Sequence, residues 1–120
     1  MQAPDPDFAG VPRMTVRTER AGDAVVLAVS GEVDMTTAPE LDAHTSQALR
    51  DRPPVLVIDL TEVTFLGSAG MSSLVAAGQD GGDTSVRIVA SGSATARPMQ
   101  LVGLDQLLAI HPTRAAALAG

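Results

Sequence analysis

The sequence predicts an α/β domain: a mixed, mostly parallel sheet of about five strands with an antiparallel edge hairpin and about four helices. Three observations carry this. Apolar runs with strand character alternate with helical spacings in the order β, β, α, β, α, β, α, β, α. The run Val55-Leu56-Val57-Ile58-Asp59-Leu60 is nearly continuous and rich in β-branched residues, as a strand buried on both faces needs to be. The stretch from Met14 to Glu19 instead alternates apolar and polar, which marks a half-exposed edge.

Taken in order, residues 1 to about 12 are rich in proline and polar groups and lack periodicity, so they read as a flexible tail, with the domain spanning 13–120. After the edge strand, Ala21-Gly22-Asp23 turns the chain into the inner strand Ala24–Val29, which ends at Ser30-Gly31-Glu32-Val33-Asp34. Thr37 with Glu40 three residues on fits a capping box, and Pro39 is tolerated in a first helical turn. This first helix runs to about Asp51 with a thin stripe of Ala38, Leu41, Ala48 and Leu49, and Pro53-Pro54 stops it. The central strand follows. Past Gly67-Ser68-Ala69-Gly70, the set Met71, Leu74, Val75 and Gly78 at i, i+3, i+4 and i+7 predicts a second helix, with Ser68 at or next to its N-cap.

Asp80-Gly81-Gly82-Asp83 makes a turn into a strand from Thr84 to Ala90. Pro98 requires the third helix to start near Arg97 or to kink there, and Gly103 before Leu104 suits a left-handed stop. Leu107–Ile110 reads as a short last strand and Pro112–Leu118 as a terminal helix. No repeat and no second domain are visible.

Composition narrows the function. The 120 residues carry 14 acidic and 8 basic groups, a net charge of −6, no cysteine and two aromatics, Phe8 and Phe65. Without cysteine there is no thiol chemistry, disulfide or thiolate metal site. Every basic residue is arginine, so a P-loop, a Schiff-base enzyme and a phosphorelay receiver, each of which needs a lysine, are excluded. An acidic chain with few rings and no basic cluster points away from nucleic acid. No apolar run reaches the ~18 residues of a membrane span, and the start lacks a secretion signal, so a cytoplasmic domain that engages a protein or a small molecule is expected.

The informative place is the turn before the second helix, where Gly67 and Gly70 leave little bulk around Ser68. Two roles fit Ser68 there. The plainer is a helix cap; the other is a hydroxyl presented on a smooth platform. A nucleophile elbow is excluded because Leu66 stands where a glycine is needed, and only His44 and His111 are available as bases. The carboxylates Glu32, Asp34, Asp59 and Glu62 lie near strand ends where some could converge; their spacing favours capping, turn hydrogen bonds and solvation over metal. No catalytic residue, metal or cofactor is expected.

Ser30-Gly31-Glu32-Val33-Asp34 and the stretch Val57 to Met71, with Val102-Gly103-Leu104 late in the chain, resemble the STAS domain family, and within it the stand-alone anti-anti-sigma factors (anti-sigma factor antagonists) of bacteria. Arginine without lysine and abundant alanine suit a GC-rich genome such as an actinobacterium's. The resemblance implies a STAS fold from about residue 14 onward. It implies that Ser68 is phosphorylated by an anti-sigma factor with serine-kinase activity, that a phosphatase reverses this, and that the unphosphorylated form binds the factor and releases a sigma factor. It further implies a partner-binding edge of Glu32, Asp34, Thr36 and Thr37 with Gly67, Ser68, Ala69, Gly70, Met71 and Ser72. The pattern departs from the family's commonest form at Gly67, where an aspartate often precedes the serine, and at Ala69, where a second serine often follows. Two other functions compete: an accessory subunit of a transporter or stress-signalling assembly, and a sensor of a small ligand or nucleotide.

Overall fold

A computed structural model describes residues 12–120; the expected tail therefore lies almost wholly outside the described residues. Five strands form one sheet in the order β1 (Met14–Ala21), β2 (Ala24–Val33), β3 (Val55–Leu66), β4 (Ser85–Val89), β5 (Ala109–His111). Only β1 and β2 are antiparallel; β2 to β5 are parallel, so each link between them is a crossover. The helices are α1 (Ala38–Arg50), α2 (Ser68–Asp80), α3 (Ala96–Leu101) and α4 (Arg114–Ala119), with a 3-10 turn at Leu104–Gln106.

The β-branched run sits where its composition demands. Leu56 to Leu60 are all buried, and β3 lies at the centre of the sheet. One face of the sheet packs Leu27, Leu56, Ile58 and Leu60 against Leu41 of α1, Leu74 of α2 and Met99 of α3. The other face is thinner: Val26, Val57 and Val89 meet Ala117 of α4. The α-helices that follow β2, β3 and β4 are thus stacked on one side, and their N-termini open at the carboxyl ends of the strands.

Several boundaries differ from expectation. β3 continues past Leu60 to Leu66, because Glu62–Leu66 still pairs with Ser30–Val33 despite two register shifts. The last strand is Ala109–His111 rather than Leu107–Ile110, because the N–H groups of Leu107 and Leu108 both turn back to the Leu104 carbonyl. The capping box does not form. Thr37 is the N-cap of α1, but its hydroxyl accepts from the Asp34 N–H at 2.9 Å and donates to the Glu32 carbonyl at 2.9 Å, so it ties the preceding loop instead of the helix. Pro98 falls in the first turn of α3 and is accommodated there, and Gly103 takes the expected left-handed conformation at φ 80°.

Candidate functional site

The site grows from the ends of β2 and β3. The N–H of Gly67 donates to the carbonyl of Val33 at 2.9 Å, so the loop leaving β2 and the turn leaving β3 begin side by side. Gly67 is the N-cap of α2, and the Met71 N–H closes the first helical bond onto its carbonyl at 3.0 Å. Ser68 is therefore the first helical residue. It is exposed and is not the cap, which removes the plainer of its two roles.

Close packing fixes the start of this helix. Gly70 is buried, and a Cβ there would stand 2.7 Å from both Leu66 Cδ1 and Val33 Cγ1. The helix approaches β2 and β3 so tightly that only hydrogen fits. Met71 is half-buried and Ser72 exposed, whereas Ser73 faces the core. Thr64 donates to the Gly31 carbonyl at 3.3 Å. Of the hydroxyls near the turn, Ser68 and Ser72 are the accessible ones that have no hydrogen-bond partner among the described residues. Among the described residues, the α2 N-terminus has neither an acidic residue in its first turn nor a side chain capping it, so the helix itself supplies nothing to offset its positive end.

The neighbouring loop is held by a carboxylate that sequence reasoning placed and an arginine that it did not. Asp34 accepts from the Thr36 hydroxyl at 2.8 Å, the Thr36 N–H at 2.9 Å and the Thr37 N–H at 3.2 Å. Arg13 binds the other oxygen of Asp34, donates to Thr36 Oγ1 at 2.7 Å and lies 3.6 Å from Glu32. Bonding from the Thr36 hydroxyl above all, opposed by partial desolvation and reinforced by the two N–H groups and Arg13, lowers the Asp34 carboxyl to about 2. The Glu32 N–H also donates to the Arg13 carbonyl at 2.8 Å. Met14 pairs with Gly31 across the hairpin, so the register that puts Arg13 opposite Glu32 was the available signal.

The four carboxylates do not converge. Glu32 and Asp34 meet at Arg13; Asp59 lies mid-strand and is bound by Arg114, which also binds Glu19; Glu62 is exposed. Among the described residues no group of three or more metal-ligating side chains assembles. His44 points to the Glu40 carbonyl at 2.9 Å, in a depression with Thr18, Arg20 and Asp51.

Two of the shallow grooves along α2 reach its first turn. One, of about 660 Å³, runs between α1 and α2 past Met35, Asp42, Ala69, Ser72 and Asp80. The other, of about 450 Å³, is lined by Ser68, Met71, Val75, Val102 and Leu104, with no charged group in its wall. Of the predicted edge, Ser68, Ala69, Met71 and Ser72 border these grooves. Gly70 is buried beneath them, and Glu32, Asp34, Thr36 and Thr37 belong to the end of β2 and the neighbouring loop, outside both linings.

The STAS domain family profile matches residues 15–117. The chain belongs to the STAS domain family. This STAS domain is 37% identical over 121 residues to the anti-sigma-F factor antagonist RsfB of Mycobacterium tuberculosis, covering 100% of this chain and 93% of that protein. An anti-sigma factor antagonist from Mycobacterium paratuberculosis superimposes with a TM-score of 0.85 at 43% identity, over 88% of this chain and 92% of the other. The phosphorylated form of the Bacillus cell fate determinant SpoIIAA shares the fold at a TM-score of 0.63 and 15% identity, over 88% of this chain and 97% of that one. The mycobacterial relatives agree with the actinobacterial character of the sequence, and the five-stranded sheet is the STAS fold that the resemblance implied.

Proposed function

We propose that this STAS domain is an anti-sigma factor antagonist. In its unphosphorylated form it binds, in the cytoplasm, an anti-sigma factor with serine-kinase activity, so that a sigma factor is released, and phosphorylation of Ser68 ends the interaction until a phosphatase restores it. It receives chemistry and performs none. The observation that carries this reading is the exposed hydroxyl of Ser68 on the first residue of α2, beside a loop already ordered by Asp34 and Arg13. The names of the mycobacterial relatives support the antagonist role, and SpoIIAA, a protein of the same fold, has a structure in a phosphorylated form.

The direction of the switch follows from charge. Ser68 Oγ attacks the terminal phosphorus of ATP, ADP leaves, and the hydroxyl proton passes to a base of the kinase. The product carries about −1.5 to −2 charge. At the uncapped start of α2 that charge meets unpaired N–H groups and the positive end of the helix, so the domain stays folded. The same dianion is strongly hydrated and must be stripped of water before a partner can cover it, so affinity falls. Gly67 and Ala69 do not obstruct this, since neither covers the hydroxyl.

Titration calorimetry with Ser68→Asp and Ser68→Ala tests the reading. The Asp form is expected to bind the anti-sigma factor more weakly with an unchanged melting temperature, and the Ala form to bind like the parent. Phosphopeptide mass spectrometry after incubation with the factor and ATP should find the modification on Ser68; modification confined to Ser72 or Thr64 would remove Ser68 from this role.

A further inference from the structure

Gly67 stands at the N-cap of α2 with φ −88° and ψ 179°, an extended backbone that any residue adopts. Its dihedral angles therefore do not require glycine, and aspartate, asparagine or serine would cap the helix better. What glycine supplies is room. A Cβ on Gly67 would stand 3.1 Å from Cε2 and 3.5 Å from Cζ of Phe65, so the edge of the Phe65 ring lies beside the N-cap of α2, the residue that precedes Ser68. Phe65 is one of two aromatic residues in the chain, and folding leaves it 52% exposed.

We infer that Phe65, seated beside Gly67, is the specificity-determining anchor for the anti-sigma factor, and that the partner surface facing it is an apolar pocket rather than a cationic one. This rests on the function proposed above. A protein that covers Ser68, or transfers a phosphoryl group to it, must close over the adjoining side chains and exclude water from them. An exposed ring one residue away from that turn falls inside the covered area. Burying a rigid aromatic at the centre of an interface is the commonest source of concentrated binding energy. A carboxylate at position 67 would push the ring aside by a few tenths of an ångström and set a charge beside it, which a partner built around the ring would meet at the cost of desolvation.

Stability and recognition part company at these two positions. Gly67→Asp adds a better cap and a negative charge at the helix N-terminus, so its melting temperature should equal or exceed the parent's. Its affinity should nevertheless fall about tenfold or more. Phe65→Ala should lose about as much affinity, Phe65→Leu distinctly less, and both should raise KM for Ser68 phosphorylation while kcat is retained.

The probes are the purified kinase-type anti-sigma factors of the source organism, and the factor that binds the unaltered protein is titrated with each variant. If that factor binds the parent, Gly67→Asp and Phe65→Ala equally, the anchor is overturned and the antagonist function stands. If none of the factors binds or phosphorylates the parent, both proposals fall together.

Discussion

Arg13, the residue in front of β1, grips Asp34, the residue after β2, so the approach to the sheet and the loop beside Ser68 form one unit. The same guanidinium reaches Thr36, and the Arg13 carbonyl takes the Glu32 N–H. Arg13→Ala is expected to lower the affinity for the anti-sigma factor several-fold while shifting the melting temperature little, because an ion pair at this level of exposure adds little to folding. Its role is to hold the loop in the bound shape before the partner arrives. Calorimetry would detect this as a less favourable binding entropy. Arg13→Lys should restore only part of it, since one ammonium cannot bridge Asp34 and Thr36 as a guanidinium does.

Acid should weaken the domain in a defined window. The Asp34 carboxyl is lowered from 3.8 to about 2, chiefly by the Thr36 hydroxyl. For Asp59, burial pushes upward, but the Thr61 hydroxyl and N–H together with Arg114 outweigh it and the net shift is also downward. A carboxylate whose pKa is depressed on folding stabilises the native state fully above its unfolded value, and that contribution is lost as pH falls through the folded value. Urea midpoints are therefore expected to be flat from neutral pH to about 5 and to fall between about 4 and 2. In Asp34→Asn the fall over that interval should be shallower; an identical profile would show that Asp34 takes no part.

Far from the loop, Arg114 donates through Nε to Asp59 and through Nη1 to Glu19, both at 2.8 Å, and so fastens α4 across the second face of the sheet. The Asp59 side chain is only 7% exposed, while Arg114 and Glu19 are 37% and 34% exposed. Removing the cation strands a nearly buried carboxylate, which typically costs about 1–3 kcal/mol, with solvent screening placing this case in the lower half. Arg114→Met should lose that amount in urea unfolding. Adding Asp59→Asn should recover part of it, because the orphaned charge is gone while Thr61 still has an acceptor. Affinity for the anti-sigma factor should be unchanged in both, since the Ser68 surface lies at the other side of the domain.

The elements that were legible in the sequence are those set by local chemistry. The Val55–Leu60 run announced a central strand, and Met71, Leu74, Val75 and Gly78 announced α2, although its buried face is Gly70, Ser73, Leu74 and Ala77, with Met71 and Val75 half-buried beside it and Gly78 exposed. Thr37 shows where such reasoning stops. Its spacing to Glu40 is right for a capping box, but the hydroxyl is taken by Asp34 and Glu32, partners that only the turn of the loop brings within reach. Ser68 was placed to within one residue, and its exposure at N1 rather than at the cap depended on Gly67 bonding to Val33 across strands. Arg13, Arg114 and the Phe65 ring were missed for one reason. Each gains its meaning from residues far away in sequence or from the missing Cβ of a glycine: Arg13 from Asp34 across the β1–β2 hairpin, where only the strand register signals it, Arg114 from Asp59 and Glu19, and Phe65 from Gly67.

Gly70 ties the sheet to the surface around Ser68 most directly. Glycine to alanine in a helix ordinarily gains up to about 1 kcal/mol, but a Cβ at Gly70 would overlap Leu66 and Val33, both buried, at 2.7 Å. Overpacking of that kind costs about 1–3 kcal/mol, so the steric term wins and Gly70→Ala should destabilise the domain. Gly78, further along α2, is the control: its added methyl would stand 3.2 Å from Leu108 Cδ2, the mobile end of a half-buried side chain, and Gly78→Ala should be neutral or stabilising. Relief of the clash at Gly70 also moves the start of α2 away from Val33, where the loop carrying Asp34 begins. Gly70→Ala should therefore lose affinity for the anti-sigma factor at temperatures where it remains folded, whereas Gly78→Ala should not. Equal affinities for the two would mean that the spacing between the α2 N-terminus and the Asp34 loop does not enter recognition.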